Sequence, residues 1–267
     1  VLKMINDTNA SEPAVKKDGP VKVYAPDDIF QRFILCKGKD AFNALQGATV
    51  MVVGIGAVGG FAAEMLARCG VGTIILIDKD VVEVSNINRQ IVATTETIGE
   101  YKVDIMKARI ERINPHCKVS VYREKIGGEE IAVYAMRHKP DIVVDAIDLF
   151  IQKCEIIAYC LNNNIPIVSS MGAARKNDPS KIQLDLVWNT TVCPLARKVR
   201  NKLYDMNIRS GNVVCVYTTE APVEHPKDSE GYKLSLPSFS IMTTMFGVWA
   251  AHAAIHYLIS KEFPIKQ

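Results

Sequence analysis

A glycine-rich turn between a strand-like run and a helix-like run most constrains how this chain can fold. The run "TVMVVGIG" at 49–56 is apolar and β-branched, which is typical of a buried parallel strand, and "GGFAAEMLARCG" at 59–70 has a helical pattern. Gly54, Gly56 and Gly59 form GxGxxG between the two. In this context the first glycine allows a tight turn, the second lets backbone approach a phosphate, and the third permits close helix packing. The turn therefore predicts a helix N-terminus that binds an anion.

Strand-like and helix-like segments alternate from this turn to about residue 172. The next strands are predicted at "TIILID", "KVSVYRE", "DIVVDAID" and "IPIVSSMGA", with helices between them, one of which spans 97–113. This order predicts an α/β fold, a doubly wound Rossmann-like and mainly parallel sheet with right-handed crossovers. From about residue 173 the alternation weakens, so we expect an added C-terminal lobe together with the end of the sheet.

The chain of 267 residues is long enough for one large α/β domain. Residues 1–27 are polar and without periodicity, which predicts a mobile N-terminal arm. Residues 28–46 have a helical pattern, for which Asp27 or Asp28 is the expected cap. We therefore expect a single domain over 28–267, whose added lobe begins at about 173.

The residues after the second strand favour ATP over NAD as the nucleotide. Asp78 ends that strand, where a carboxylate bonds ribose hydroxyls in either case. Arg89 offers a forked cation for phosphate oxygens, and Lys102 a point charge. Asn86 and Gln90 add neutral donors. NAD gives no reason for so many phosphate ligands, so together these residues predict a magnesium–nucleotide site.

Asp148 is the expected metal ligand of this site. It closes the run "DAID", and the ligands of such sheets bind at the carboxyl ends of the strands. A carboxylate that faces a triphosphate there suits Mg²⁺.

Four short motifs together resemble one enzyme core. "GIGAVGG", "IDKDVVEVSNINRQ", "GEYK" and "DAID" resemble the adenylation core shared by ubiquitin-activating enzymes and their bacterial relatives in molybdopterin and thiamine synthesis. The resemblance covers residues 30–172. It implies that MgATP is bound by the following residues: Gly54, Gly56, Gly59, Asp78, Asp80, Asn86, Arg89, Gln90, Lys102 and Asp148. It further implies that an Arg from the N-terminal helix of a partner subunit lies over the phosphates, and "RFILCKG" nominates Arg32.

The second half narrows the resemblance. The two CxxC pairs typical of sulfur-carrier activators are absent from the sequence. Instead, "SSMGAARKNDPSKI", "CPLARKVRNKL" and "VVCVYTTEAP" resemble the tRNA threonylcarbamoyladenosine dehydratases. That family implies an ATP-dependent cyclisation of the threonylcarbamoyl group on tRNA through an acyl-adenylate. Arg32, Arg89, Lys102 and Asp148 would then be the catalytic residues.

A basic segment follows Cys193 and supports an RNA partner. Its cations fall within two turns of a predicted helix or close to it. They are Arg197, Lys198, Arg200, Lys202 and Arg209, preceded by Arg175, Lys176 and Lys181. Such a face suits the phosphate backbone of tRNA, and a solvated helix face is the alternative.

The run 241–259 is long, apolar and without charge. A membrane span, a buried core helix and a helix at a dimer interface all fit its length. We prefer a helix whose apolar surface is covered by protein. The resemblance also implies that Arg32 reaches the site of a partner subunit, and together these points predict a homodimer. His252 and His256 lie one helical turn apart, but without a third ligand we expect them to be packed rather than metal-bound.

Other functions stay open at this point. Cys193 or Cys215 could trap the adenylate as a thioester, as an activator of a ubiquitin-like or sulfur-carrier protein would require. A scaffold subunit would have lost its phosphate ligands, and an NAD oxidoreductase would bind NAD without ATP. The seven cysteines form no CxxC and no secretory signal is recognisable, so a reducing, cytoplasmic location is expected.

Overall fold

The computed structural model describes residues 24–230, 232 and 235–265. One seven-stranded sheet organises them, in the order β3-β2-β1-β4-β5-β7-β6. All neighbours are parallel except β6 and β7, which are antiparallel. The strands are β1 (Thr49–Val53), β2 (Thr73–Ile77), β3 (Lys118–Tyr122), β4 (Ile142–Asp145), β5 (Ile167–Ser170), β6 (Ile182–Leu186) and β7 (Val213–Thr218). The predicted doubly wound, mainly parallel sheet is confirmed.

Helices cover both faces of this sheet. They are α1 (Pro26–Ile29), α2 (Gln31–Lys37), α3 (Lys39–Gln46), α4 (Gly59–Arg68), α5 (Lys102–Ile113), α6 (Gly128–His138), α7 (Phe150–Asn162), α8 (Pro194–Asp205) and α9 (Ser240–Ser260). Alternate residues of one strand enter different cores: Val50 and Val52 pack with α3, α4, α5 and α9, whereas Met51 and Val53 pack with α6, α7 and α8. The strands therefore read as continuous apolar runs because both of their faces are buried.

The strand order reverses at β1. The chain runs outward from β1 through β2 to β3, and then returns to the other side of β1 as β4. The loops that follow β1 and β4 consequently diverge and leave a crevice at the carboxyl edge, where ligands of such sheets bind.

The apolar helix α9 is covered by its own chain. It packs against α4, α3 and the strands β4–β7. At Gly247 an added Cβ would lie 2.4 Å from the carbonyl oxygen of Val58, so the close contact between α9 and α4 requires glycine. Of the alternatives that the sequence leaves open for this run, the structure supports a helix buried in the core of its own chain. Among the described residues, no helix has the length and apolarity needed to cross a membrane.

The first helical region is divided into three helices. Helices α1, α2 and α3 are separated at Phe30 and at Gly38, whose φ of 89° breaks the helix. Ala25 precedes α1 without a side-chain cap, so the predicted aspartate cap is wrong; Asp27 forms an ion pair with Lys39 instead. Residues 1–23 of the predicted arm lie outside the described residues. Pro26 and Asp27, at the end of the predicted arm, belong to α1.

Two further boundaries differ from the predictions. Helix α5 begins at Lys102 and not at Thr97, because the Thr97 hydroxyl bonds the backbone carbonyl oxygens of Val92 and Thr94 in a turn. Strand β4 ends at Asp145, so Asp148 lies in the loop beyond it. The segment after residue 173 contributes β6 and β7 to the same sheet.

Candidate active site

Each of the three glycines in the glycine turn has different surroundings. Gly54 has φ of 88°, and a Cβ there would lie 2.9 Å from the backbone of Ala146. A Cβ at Gly59 would lie 1.8 Å from the carbonyl oxygen of Gly54, so the start of α4 cannot approach the turn with any larger residue. At Gly56 an added Cβ would meet only the Gln90 amide nitrogen, at 3.8 Å. Gly54 and Gly59 serve the turn, whereas Gly56 leaves room for a ligand next to the N-terminus of α4.

Asp78 holds the glycine turn to the end of β2. One carboxylate oxygen accepts the N–H of Ile55 at 2.6 Å, and the other accepts the N–H of Asp80 at 2.8 Å. Burial raises the pKa of Asp78, although these hydrogen bonds and the charge of Lys102 oppose the shift. The side chain lines the cavity beside the turn, where ribose hydroxyls would reach it.

Lys102 and Arg89 bring two cations to the same cavity. Lys102 is only 5% exposed, and its ammonium nitrogen lies 3.1 Å from a carboxylate oxygen of Asp80. The Arg89 guanidinium donates to the Ser85 carbonyl oxygen at 2.6 Å and to the Asn88 side chain at 3.0 Å. Both cations are held by local acceptors near the glycine turn, and their role as phosphate ligands stays a prediction.

Gln90 and Asn86 differ in whether their side chains line the cavity. Among the buried side-chain nitrogens and oxygens of the described residues, only the Gln90 Oε1 lacks a hydrogen-bond partner. Gln90 lines the cavity, so a bound ligand could satisfy this oxygen. Asn86 does not line it: its Oδ1 accepts the N–H of Glu83 at 3.2 Å and so closes a short helical turn. Its role as a nucleotide ligand stays a prediction.

The loop that carries Asp148 rests on a buried polar cluster. Asp145 accepts hydrogen bonds from Lys153 at 2.7 Å and from the Ser169 hydroxyl at 2.6 Å, and all three residues are fully buried. The other oxygen of Asp145 accepts the N–H of Ile147 at 3.2 Å. This anchor turns the loop at the carboxyl edge, so that Asp148 lines the cavity as an exposed carboxylate.

The donor set around Asp148 fits a magnesium–nucleotide complex. In the described part of the chain, no three His, Cys, Asp or Glu residues are grouped to hold a metal alone. Mg²⁺ in nucleotide sites needs only one or two carboxylates, because phosphates and water supply the other oxygens. Asp148 is free for this role, while Asp78 and Asp80 already bind backbone or lysine.

The cavity has two halves, in a total volume of about 870 Å³. The lining residues of the first half follow β1, β2 and β4: Gly54, Gly56, Asp78, Asp80, Arg89, Gln90, Lys102 and Asp148. The second half is formed by the loops after β5 and β7, the start of α8 and the residues around the start of α9. Its polar lining residues include Ser170, Lys176, Cys193, Lys198 and Thr243.

Several lining residues were not identified from the sequence as site residues. Glu124, Lys125 and Ile126 follow β3 and line the first half. The sequence feature that could identify them is their position directly after a predicted strand, which places them at the same carboxyl edge of the sheet. Lys176 was assigned to a basic surface but is only 2% exposed.

Arg32 does not line the cavity of its own chain. It is exposed on α2 and is absent from the residues that line the site.

Both candidate cysteines are buried. Cys215 is fully buried in β7, and this burial raises the pKa of its thiol well above the ordinary value. Cys193 is 3% exposed at the start of α8. Reactive cysteines are usually partly exposed in electropositive surroundings, so a thioester role for Cys215 has no structural support.

The basic helix α8 divides its cations between two tasks. Arg197 and Lys198 are exposed. Arg200 instead donates to the carbonyl oxygens of Val187 and Thr190, at 3.0 and 2.9 Å, and so fixes the preceding loop. The prediction that Arg200 and Lys176 belong to a solvent-facing basic surface is wrong, because both side chains are directed into the protein.

The two histidines of α9 are packed against aromatic and polar neighbours. His252 lies edge-on to Trp249, and the ring nitrogen of His256 is 2.9 Å from the Glu262 carbonyl oxygen.

Known proteins share both the sequence and this fold. The tRNA threonylcarbamoyladenosine dehydratase of Bacillus subtilis (strain 168) is 43% identical over 194 residues, which cover 73% of this chain and 76% of that protein. Its counterpart in Escherichia coli (strain K12) is 37% identical over 244 residues, which cover 84% and 91%. The crystal structure of E. coli tRNA N6-threonylcarbamoyladenosine dehydratase, TcdA, in complex with ATP matches with a TM-score of 0.82 at 35% identity, over 90% of this chain and 98% of that one.

More distant proteins share less of the chain. The molybdopterin-synthase adenylyltransferase of E. coli is 33% identical over 54% of this chain. The structure of E. coli MccB with ATP matches with a TM-score of 0.61 at 20% identity, which shows a common fold. The sequence model of the ThiF family matches residues 30–267 of this chain. This chain therefore belongs to the ThiF family.

Proposed function

We propose that this chain is an ATP-dependent enzyme that cyclises N6-threonylcarbamoyladenosine in tRNA by way of an acyl-adenylate. The observation that carries the proposal is the two-part cavity. One half gathers the glycine turn, Asp78, Arg89, Lys102 and Asp148, and the other half is open to the start of the basic helix α8. Relatives that carry the name of this dehydratase, and a TcdA structure with ATP, support the nucleotide and the substrate.

The first step is transfer of the adenylyl group. A carboxylate oxygen of the substrate attacks the α-phosphorus of ATP, and the bond to the bridging oxygen breaks as pyrophosphate leaves. Lys102 and Arg89 neutralise the charge that grows on the phosphates. A Mg²⁺ ion held by Asp148 would supply further charge neutralisation and orientation.

The second step closes the ring. A nucleophile of the same threonylcarbamoyl group attacks the activated acyl carbon, and AMP leaves with one former carboxylate oxygen. The net change in the substrate is the loss of one water. No enzyme nucleophile takes part, which agrees with the full burial of Cys215 outside the cavity. Cys193 lines the cavity, so the test below replaces both thiols.

Activation of a ubiquitin-like or sulfur-carrier protein is the second candidate, supported by the partial match to the molybdopterin-synthase adenylyltransferase. One experiment separates the two. The chain is incubated with MgATP and tRNA that carries the modification, and the nucleosides are then analysed by mass. The dehydratase predicts an ATP-dependent loss of one water, which persists in Cys193→Ala with Cys215→Ala. An unchanged nucleoside mass would contradict it.

A homodimer with composite sites completes the proposal. Arg32 is exposed outside its own cavity, so it is available to reach the phosphates of a partner subunit. The exposed cations of α8 would contact the tRNA backbone, and a cytoplasmic location stays a prediction.

A further inference from the structure

Lys176 is a buried cation in the second half of the cavity. It lies in the loop after β5, lines the cavity, and is 2% exposed. Neither the nucleotide-binding motifs nor the basic surface accounts for a lysine in this position.

The ammonium group of Lys176 has no carboxylate partner in the described part of the chain. Its nitrogen donates to the backbone carbonyl oxygen of Glu220. The carboxylate of Glu220 is occupied elsewhere: it accepts the N–H groups of Asn177 and Asp178, each at 3.0 Å. Among residues 24–230, 232 and 235–265, no ion pair involves Lys176, although an ammonium carries three donor hydrogens.

A buried ammonium group destabilises the protein unless an anion is bound next to it. A buried charge is usually paired, since desolvation disfavours the charged form. Burial lowers the pKa of Lys176. The nearby Cys193 thiol and Glu220 carboxylate oppose this shift, and the charge of Arg175 adds to it. Because the side chain lines an open cavity, a bound anion is the partner that the site can supply.

The sheet topology indicates which anion this is. Arg89 and Lys102 follow β2, whereas Lys176 follows β5, and β1 and β4 lie between these strands. Neighbouring strands are spaced by about 4.8 Å, so the two cationic groups lie on opposite sides of the crevice. In-line displacement at the α-phosphorus requires the attacking oxygen and the leaving pyrophosphate to be on opposite sides as well.

We infer that Lys176 binds the carboxylate of the substrate and holds it for attack on the α-phosphate. This inference rests on the proposed function. One carboxylate oxygen attacks phosphorus, and the other stays on the ammonium and becomes the acyl oxygen of the adenylate. When the internal nucleophile adds to the acyl carbon, the same ammonium stabilises the charge on that oxygen until AMP leaves.

The test uses Lys176→Met, which keeps the length of the side chain and removes the charge. The first measurement is the affinity for tRNA with and without the threonylcarbamoyl group, in the absence of ATP. We expect wild type to prefer the modified tRNA and the variant to lose that preference. The second measurement is kcat/KM for the modified tRNA, which should fall by about tenfold to a hundredfold, while the dissociation constant for ATP stays within about twofold.

The matched control is Lys107→Met. Lys107 lies on helix α5, pairs with Glu111 at 3.8 Å, and does not line the cavity. It should leave all three measurements unchanged. If Lys176→Met does not fold, Lys176→Gln replaces it, and the same losses are expected because the charge is absent in both.

Three outcomes are distinct from the expected one. A parallel loss of ATP affinity would make Lys176 a phosphate ligand and overturn the inference. A retained preference for modified tRNA with unchanged kcat/KM would reduce the lysine to a structural role. If wild type itself removes no water from the modified nucleoside, the proposed function fails, and the assignment of a substrate carboxylate to Lys176 fails with it.

Discussion

The ammonium nitrogen of Lys102 lies 3.1 Å from a carboxylate oxygen of Asp80. Asp80 is half-exposed and also bonds Lys79 at 2.7 Å, so it is an ordinary surface acceptor, whereas Lys102 is almost fully buried. Asp80 thus keeps a buried cation paired next to the glycine turn, and nucleotide phosphates would provide a second set of anions for the same nitrogen. The second aspartate of "IDKD" therefore has a physical role that ribose binding does not require.

Lys102→Met should weaken MgATP binding. Loss of a charged hydrogen bond to phosphate costs about 1.5–3 kcal/mol, which corresponds to a rise of about tenfold to a hundredfold in the dissociation constant. Titration calorimetry measures this directly. The control is Lys107→Met on the same helix, whose cation lies 3.8 Å from Glu111 and outside the cavity. Equal effects of the two substitutions would remove Lys102 from the nucleotide site.

Asp148→Ala should abolish turnover and leave the fold intact. The side chain is exposed in a loop and fills no core volume, so the melting temperature should change little. Turnover should not return at saturating Mg²⁺, because the ligand that orients the ion is missing. The nucleoside mass assay measures this, together with a thermal melt. Activity that recovers fully when Mg²⁺ is raised would count against Asp148 as the metal ligand.

Much of the fold follows from the sequence, because strands buried on both faces must be apolar throughout and the glycine pattern fixes the first turn. The prediction failed where a side chain's direction decides its role. Lys176 and Arg200 look like surface cations in a basic segment, yet one enters the cavity and the other holds a loop. The sequence also leaves open what covers α9, since contacts with distant strands leave no local pattern.

Glu64→Gln should destabilise the fold in a pH-dependent way. Glu64 is 4% exposed and pairs with Arg68 at 2.8 Å and with Arg109. Burial raises its pKa, but the hydrogen bonds from Arg109 and Arg68 outweigh this, so the pKa of Glu64 is lowered in the folded state. A lowered pKa contributes stability above the unfolded value of about 4.3, and this contribution is lost as the pH falls through the folded value.

The expected loss at pH 7 is about 1–3 kcal/mol in the free energy of unfolding, and it should shrink below about pH 4. Denaturant unfolding at several pH values measures it. Glu111→Gln, at an exposed pair, should cost less than about 1 kcal/mol. A loss at Glu64 that does not change with pH would mean that the ion pairs are not its cause.

Charge reversal at Arg197 and Lys198 should weaken tRNA binding more than ATP binding. Both residues are exposed on α8, unlike Arg200, whose guanidinium fixes the loop before the helix. Replacing both by Glu removes phosphate contacts, so affinity should fall and its dependence on salt should flatten. Filter binding at several salt concentrations measures both effects.

The matched control carries the same change of charge on the other face of the sheet. Arg112→Glu with Lys118→Glu alters two exposed residues at the end of α5 and the start of β3. This pair should leave tRNA affinity close to that of wild type. If both double variants weaken tRNA binding equally, the effect reflects net charge, and α8 is only a solvated face.

Mixing two inactive variants should restore activity if Arg32 acts in a partner subunit. Arg32 is exposed on α2 and outside its own cavity, while Asp148 lines that cavity. In a mixed dimer of Arg32→Ala and Asp148→Ala, one site carries both substitutions and the other carries none. Random exchange of equal amounts makes half of the dimers mixed, so activity should approach about a quarter of wild type. The nucleoside mass assay after exchange measures it, with subunit exchange followed separately by labelled protein. No recovery despite demonstrated exchange would place Arg32 in the site of its own subunit, or outside catalysis, because composite sites must regenerate one intact centre in every mixed dimer.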